Sequence, residues 1–324
     1  MKYSGIGGQA VIEGVMMKNK DSYAVAVRKP DGEIEIKKEK CKSNDSRPKF
    51  FSFPFVRGVV NFVDSLVLGM STLTYSSSFF DDEEEENKDK SDKKEKKEKT
   101  PEQQKKEEAA FNVLTIVIAV VLVIGLFMVA PYCISHLLLA RFVESKTLLT
   151  LFEGLTRLVF FIIYVVAISL MKDIRRVYMY HGAEHKCINC IEHGMELTVE
   201  NVRKSSKEHK RCGTSFLLII MCLSIVIIML VRFDSRLLNF GARLLLIPVI
   251  AGISYEFLRL MGRFDNPFVN FLSKPGLLLQ GLTTREPDDE MIEVGIASVE
   301  AVFDWRAYLQ ENFGENKDDP QTNP

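Results

Sequence analysis

The chain has 324 residues, 47% of them hydrophobic, with 42 Lys and Arg against 43 Asp and Glu and a formal net charge of −1. That length admits two domains, and that charge balance argues against a nucleic-acid-binding protein. The balance conceals segregation. Asp81 to Glu108 is almost entirely charged or amide, whereas Val113 to Leu139 is almost free of charge.

The N-terminal MKYSGIGGQAVIEG has no apolar core of a secretory signal. Its glycines lack the Gly-Lys-Ser/Thr ending of a phosphate loop, so they read as sites of close backbone approach. Tyr23–Arg28 and Glu33–Lys37 are β-prone runs separated by Pro30-Asp31-Gly32, which predicts a hairpin. Residues 1–49 are therefore expected to form a small Gly-rich, β-containing segment. In residues 50–80, Phe55, Val59, Phe62, Val63, Leu66 and Met70 recur at helical spacing. This predicts an amphipathic helix against the membrane or the spans, or a re-entrant segment in which Arg57 and Asp64 need partners. Residues 81–110 have no apolar periodicity and read as a charged linker.

Residues 111–260 hold four candidate spans: Val113 to Leu139, about Thr147 to Met171, Thr214 to Val231, and about Leu237 to Leu260. Each approaches or exceeds the ~20 apolar residues that cross a bilayer. The expected fold is a mainly α-helical integral membrane protein with about four transmembrane helices. Within the second span, Glu153 and Arg157 stand four apart, as a helix-stabilising pair or as the polar lining of a cavity. Lys and Arg crowd residues 172–213 and the segment before the first span, while the other two connections carry few. The positive-inside rule then puts both termini and the 172–213 loop in the cytoplasm. Five of the six cysteines would face or adjoin a reducing compartment, which disfavours disulfides. Residues 261–324 should end in an amphipathic helix with an acidic first turn from Asp288 onward.

The chemistry concentrates at His181-Gly182-Ala183-Glu184-His185. Residues four apart share a helix face, so His181 and His185 could hold one ion, with Glu184 near enough to take a proton from water. This H-x-x-E-H order also occurs in inverted zincins. His209 and Cys212, before the third span, and Glu256, near the end of the fourth, would complete the shell. Glu256 could instead pair with Arg259 or Arg263. A competing arrangement joins Cys187, Cys190, His209 and Cys212 as a structural zinc site.

The motifs GGQAVIEGVMM, YHGAEHK, ELTVENVRK, HKRCGTSF and LTTREPDD together resemble the bacterial YqhQ family of multi-pass membrane proteins, over nearly the whole chain. The resemblance implies a protein of the bacterial cell membrane with a metal centre, and it names no substrate. Its pattern centres on HGAEH and H-x-R-C-G-T and does not require Cys187 and Cys190. It therefore favours His181, Glu184, His185, His209 and Cys212. The resulting expectation is a metal-dependent hydrolase at the cytoplasmic membrane surface. His181, His185, His209, Cys212 and Glu256 are its candidate ligands to a divalent metal, zinc above all, with Glu184 as general base. The alternative is a non-enzymatic membrane scaffold, serving membrane-protein biogenesis or quality control around a structural metal site. A transporter ranks third, because no internal repeat is evident. Membrane lipids and a membrane-protein or peptide partner are the expected contacts.

Overall fold

In the computed structural model, residues 2–41, 48–53, 56–80, 114–115, 117–231, 233, 235–263 and 266–314 are described. The charged tract read as a linker and the last ten residues lie outside them. The chain divides into two compact units: Met1–Asp82 with Ile168–Leu218 and Ala251–Pro324, and Glu83–Ala167 with Ile219–Ile250.

The first unit opens with a four-stranded antiparallel meander, β1 (Ile6–Val11), β2 (Gly14–Asn19), β3 (Ser22–Arg28) and β4 (Ile34–Lys40). The Pro30-Asp31-Gly32 hairpin forms between β3 and β4, with Gly32 at φ +88 as the turn requires. The tighter turns place Glu13 and Lys20 at φ +50, which non-glycine residues rarely adopt. Glu13 is held there by helix α4 (Lys172–Glu192). Its carboxylate accepts from Arg176 Nη2 at 2.6 Å and from the Tyr180 hydroxyl at 3.2 Å.

Strand β2 from Gly14 to Met17 and strand β3 from Tyr23 to Val27 are buried on both faces because both sides of the sheet are covered. Side chains alternate between faces. Val15, Met17 and Ala26 join Tyr180, Ala183, Cys187, Ile188 and Ile191 of α4 and Met291, Ile292, Val294 and Val299 of α9 (Asp289–Val302). Met16, Tyr23, Val25 and Val27 meet Leu68, Leu73 and Tyr75 of α1 (Val56–Ser77) on the other face. The unit also contains α5 (Val199–Lys204), α8 (Pro267–Thr283) and α10 (Trp305–Phe313). Helix α8 exposes Phe268, Phe271 and Leu278 while burying Ser273, Gln280 and Thr283. Helix α9 does the reverse, burying Met291, Ile292 and Val299.

Among the described residues, five helices are long and apolar enough to cross a membrane, one more than the four expected from the sequence. They are α1, α2 (Val117–Leu139), α3 (Lys146–Ser169), α6 (Gly213–Leu230) and α7 (Arg236–Arg263, with its apolar stretch at Gly241–Met261). The added one is α1, whose polar residues had argued for a surface or re-entrant position. Two of those residues have partners on α7. Arg57 grips both oxygens of Glu256 at 2.6 Å, and Asn61 donates to the Tyr255 hydroxyl at 2.9 Å. The approach is close because Gly58 faces Gly252, where a Cβ would lie 2.9 Å from a carbonyl oxygen.

In the second unit, α2 carries π-helical turns at Gly125–Val129 and Ser135–Leu139. Gly154 of α3 meets Ile225 of α6, with room for no side chain. The expected Glu153–Arg157 pair is present at 3.0 Å, and Arg243 of α7 joins it at 2.6 Å.

Candidate metal centre

His181 and His185 lie one turn apart on α4, as the spacing requires, with ring centroids 4.4 Å apart. Each ring is oriented by a backbone carbonyl. His181 Nδ1–H donates to Thr283 O at 2.9 Å, and His185 Nδ1–H donates to Lys207 O at 2.7 Å. Those bonds make both Nδ1 atoms donors and leave the Nε2 of each ring as the atom that faces Cys212. Cys212 Sγ stands 3.2 Å from His181 Nε2, and one ligand atom from each of His181, His185 and Cys212 falls within 4.8 Å of the other two. Among the described residues this is the one group of His, Cys or acidic side chains gathered closely enough to hold an ion.

The donors are electrostatically matched. Burial pushes the Cys212 thiol up, yet His181 and His185 draw it well below its ordinary value. Thr214 adds an N–H and a hydroxyl to the sulfur, at 3.5 and 3.2 Å. Burial alone would lower His181, but the Cys212 sulfur and Glu184 raise it to about 9. Glu184 is buried, and burial raises its carboxyl against the pull of the two imidazoles. Gly8 of β1 lies over it, and a Cβ there would stand 3.0 Å from Glu184 Cδ and 2.6 Å from Met16 O. Among the described residues, Glu184 Oε2 has no hydrogen-bond partner.

Two expected ligands are not brought into this group. His209 sits on a loop, where helical spacing rules do not act. Its Nε2 accepts from Arg211 at 3.1 Å and lies 3.7 Å from Glu192. Burial, helped by Arg211, keeps His209 below its usual value. Glu256 is engaged by Arg57, with Arg259 3.8 Å away. The alternative four-ligand zinc site is not assembled either. Cys187 packs against Gly295, and Cys190 donates to Glu196 O at 3.3 Å.

Several supporting residues escaped the sequence reading. Gln280 of α8 accepts from His209 N at 2.9 Å and donates to His209 O at 2.7 Å and Ser215 Oγ at 2.9 Å. Asn189, one turn beyond His185, donates to Ser206 O and Glu208 O at 2.6 and 2.8 Å. Together they clamp the loop that presents Lys207 O and Cys212. A lone glutamine in the apolar run GLLLQGLTT was the available signal for Gln280. Thr283 to Pro287 then cross α4 at Gly182, where a Cβ would lie 2.0 Å from Arg285 O. Gly182→Ala is expected to cost roughly 1–3 kcal/mol, as overpacking does. A thermal melt in detergent checks it, and an unchanged melting temperature would show that the crossing is loose.

Residues 53–305 match the family described as "Protein of unknown function (DUF1385)". The Bacillus subtilis (strain 168) protein titled "Uncharacterized protein YqhQ" is 34% identical over 307 residues, covering 94% of each chain. No solved structure matches. The chain belongs to the DUF1385 family, and the YqhQ resemblance read from its motifs holds along nearly its full length.

Proposed function

We propose that this protein is a metal-dependent hydrolase of the bacterial cell membrane, with both termini and α4 on the cytoplasmic side, where Lys and Arg concentrate. One observation carries the reading. Three soft or borderline donors converge with both imidazoles held at Nδ1 by backbone carbonyls, and the Glu184 carboxylate beside them has an oxygen with no hydrogen-bond partner among the described residues. Imidazole and thiolate donors suit zinc, and three protein ligands are the number a catalytic zinc site uses. His181, His185 and Cys212 would hold the ion, which supplies a Lewis acid able to lower the pKa of water. Glu184 is the proton acceptor. It is fixed between its helix and the Gly8 backbone, and its free oxygen is the one that can receive a proton. Gln280 and Asn189 position the loop. A peptide or lipid-linked substrate suits the location.

A second reading rests on burial. His185, Cys212 and Glu184 are each 5% exposed or less, as in a closed structural site within a membrane scaffold. Glu184→Gln separates the two. As a hydrolase, the variant keeps zinc and its melting temperature but loses about 100-fold or more in turnover, the usual worth of a general base. The readout is cleavage in a panel of membrane peptides and lipid-linked esters. As a scaffold, neither the purified protein nor the variant turns over any of them, and the variant still complements a deletion strain.

A further inference from the structure

Helix α8 is amphipathic with its polarity inverted. The stripe it turns into the first unit is Val269, Ser273, Gly276, Gln280 and Thr283, all buried and mostly small or polar. The opposite stripe is Phe268, Phe271, Leu272, Pro275 and Leu278, at the same three- and four-residue spacing. Its large side chains stand open, with Phe268 70%, Phe271 67% and Leu278 77% exposed. The inner stripe is committed to the surroundings of the metal centre. Gly276 admits Ser215 of α6, whose Oγ would lie 2.7 Å from a Cβ. Gln280 holds the backbone of His209, and the Thr283 carbonyl accepts from His181 Nδ1 at 2.9 Å.

A continuous exposed apolar stripe marks an interface. What covers this one follows from the neighbouring helix. Helix α7, a candidate span, ends at Arg263, and Asn266 and Pro267 restart the chain as the N-cap and first residue of α8. Helix α8 therefore begins where a span leaves the bilayer. It is too short to be another span, since 17 residues reach about 25 Å against a hydrocarbon core of about 30 Å. Its polar stripe is also already packed against protein. Lys274 is its one charged residue and is exposed on the flank of the apolar stripe. From there a lysine stem can lie along apolar surface and lift its ammonium to the headgroups.

We propose that α8 lies in the plane of the membrane interface with its outer stripe against lipid acyl chains. The metal centre on its inner side then stands about 10 Å, one helix diameter, from lipid. The proposal rests on the membrane reading of the spans and not on hydrolysis. Phe271→Trp and Leu278→Trp put a reporter on the outer stripe without touching the inner one. Val159→Trp, at an exposed position near the middle of α3, reports on a span. Full-length protein is reconstituted into phosphatidylcholine vesicles brominated either near the headgroup end of the acyl chains or near their methyl ends. The native protein, whose single tryptophan is Trp305, supplies the baseline. Both α8 reporters should be quenched about twofold or more strongly by the shallow bromines, as befits a helix set roughly 5–10 Å into the headgroup boundary. The α3 reporter should be quenched more by the deep ones. Stronger deep quenching at α8 would make it a re-entrant segment. No quenching above the baseline at α8, beside a quenched α3, would mean that protein, such as a second copy of the chain, covers the stripe. Either result overturns the proposal, and one folded α8 variant is enough to obtain it. If the α3 reporter also escapes quenching, the membrane reading itself fails and takes the proposal with it, whereas the Glu184→Gln test stands apart from all three outcomes.

Discussion

Cys212→Ala is expected to lower the affinity for zinc by at least about 100-fold, more than the roughly 10–100-fold that loss of an orienting partner costs. The sulfur is the donor that makes the site soft, and without it two imidazoles on one helix turn must hold the ion alone. Gln280→Leu falls in the lower range. It leaves all three donors in place but releases the His209 loop, which loses two hydrogen bonds to Gln280, while Ser215 of α6 loses a third. Competition with a chromophoric chelator measures both. The thiol supplies a second, independent readout. After chelation Cys212 should alkylate ahead of Cys187 and Cys190, because its partners hold it well down while burial pushes Cys187 up and Cys190 to about 11. Zinc should then protect Cys212 selectively. Equal labelling with and without zinc would mean that the three donors do not bind it.

How far the sequence carried depends on the range of the interaction. H-x-x-E-H could be read because four residues make one helical turn, and the β3–β4 hairpin because Pro-Asp-Gly has a backbone reason to turn there. Gly8 belongs to a cluster that reads only as a class of close approach, and nothing in the sequence marks Gly182 as one. Which backbone they admit, Met16 and Arg285, is a tertiary fact. The count of candidate spans missed α1 for the same reason. Arg57 looks prohibitive in a span until Glu256, 199 residues later, is found beside it. That same pairing takes up both oxygens of Glu256. His209 lies 5.6 Å from the His185 ring, outside the three-donor group, with Arg211 and Glu192 beside its Nε2, and helical spacing says nothing of a loop.

Glu192 is also where the largest loss of stability is expected. It is the last residue of α4, at the negative end of the helix dipole, and it is fully buried. A carboxylate survives there only with strong partners. Arg211 Nη2 donates to both oxygens at 2.5 and 2.7 Å, while the Ser4 amide and hydroxyl donate to Oε1 at 3.0 and 2.8 Å. Burial pushes the carboxyl up, but His209, Arg211 and Ser4 overcome it and bring it from 4.5 to about 2. A folded-state value below the unfolded one adds stability that is complete above the ordinary carboxylate range. It is lost as pH falls from about 5 towards 2, and the depression is worth about 3 kcal/mol. Glu192→Ala strands the Arg211 guanidinium and should cost about 3–5 kcal/mol at neutral pH. Glu192→Gln can still accept from Ser4 and should cost less, but it cannot titrate. In detergent melts from pH 7 to pH 3, the native protein should therefore lose stability more steeply than the glutamine variant, and the two curves should converge at the acid end. Parallel curves would mean that Arg211 and Ser4 do not hold the carboxylate in its charged form. Because Arg211 and His209 flank Cys212 on one short loop, the alanine variant should also bind zinc more weakly, although Glu192 touches none of the three donors.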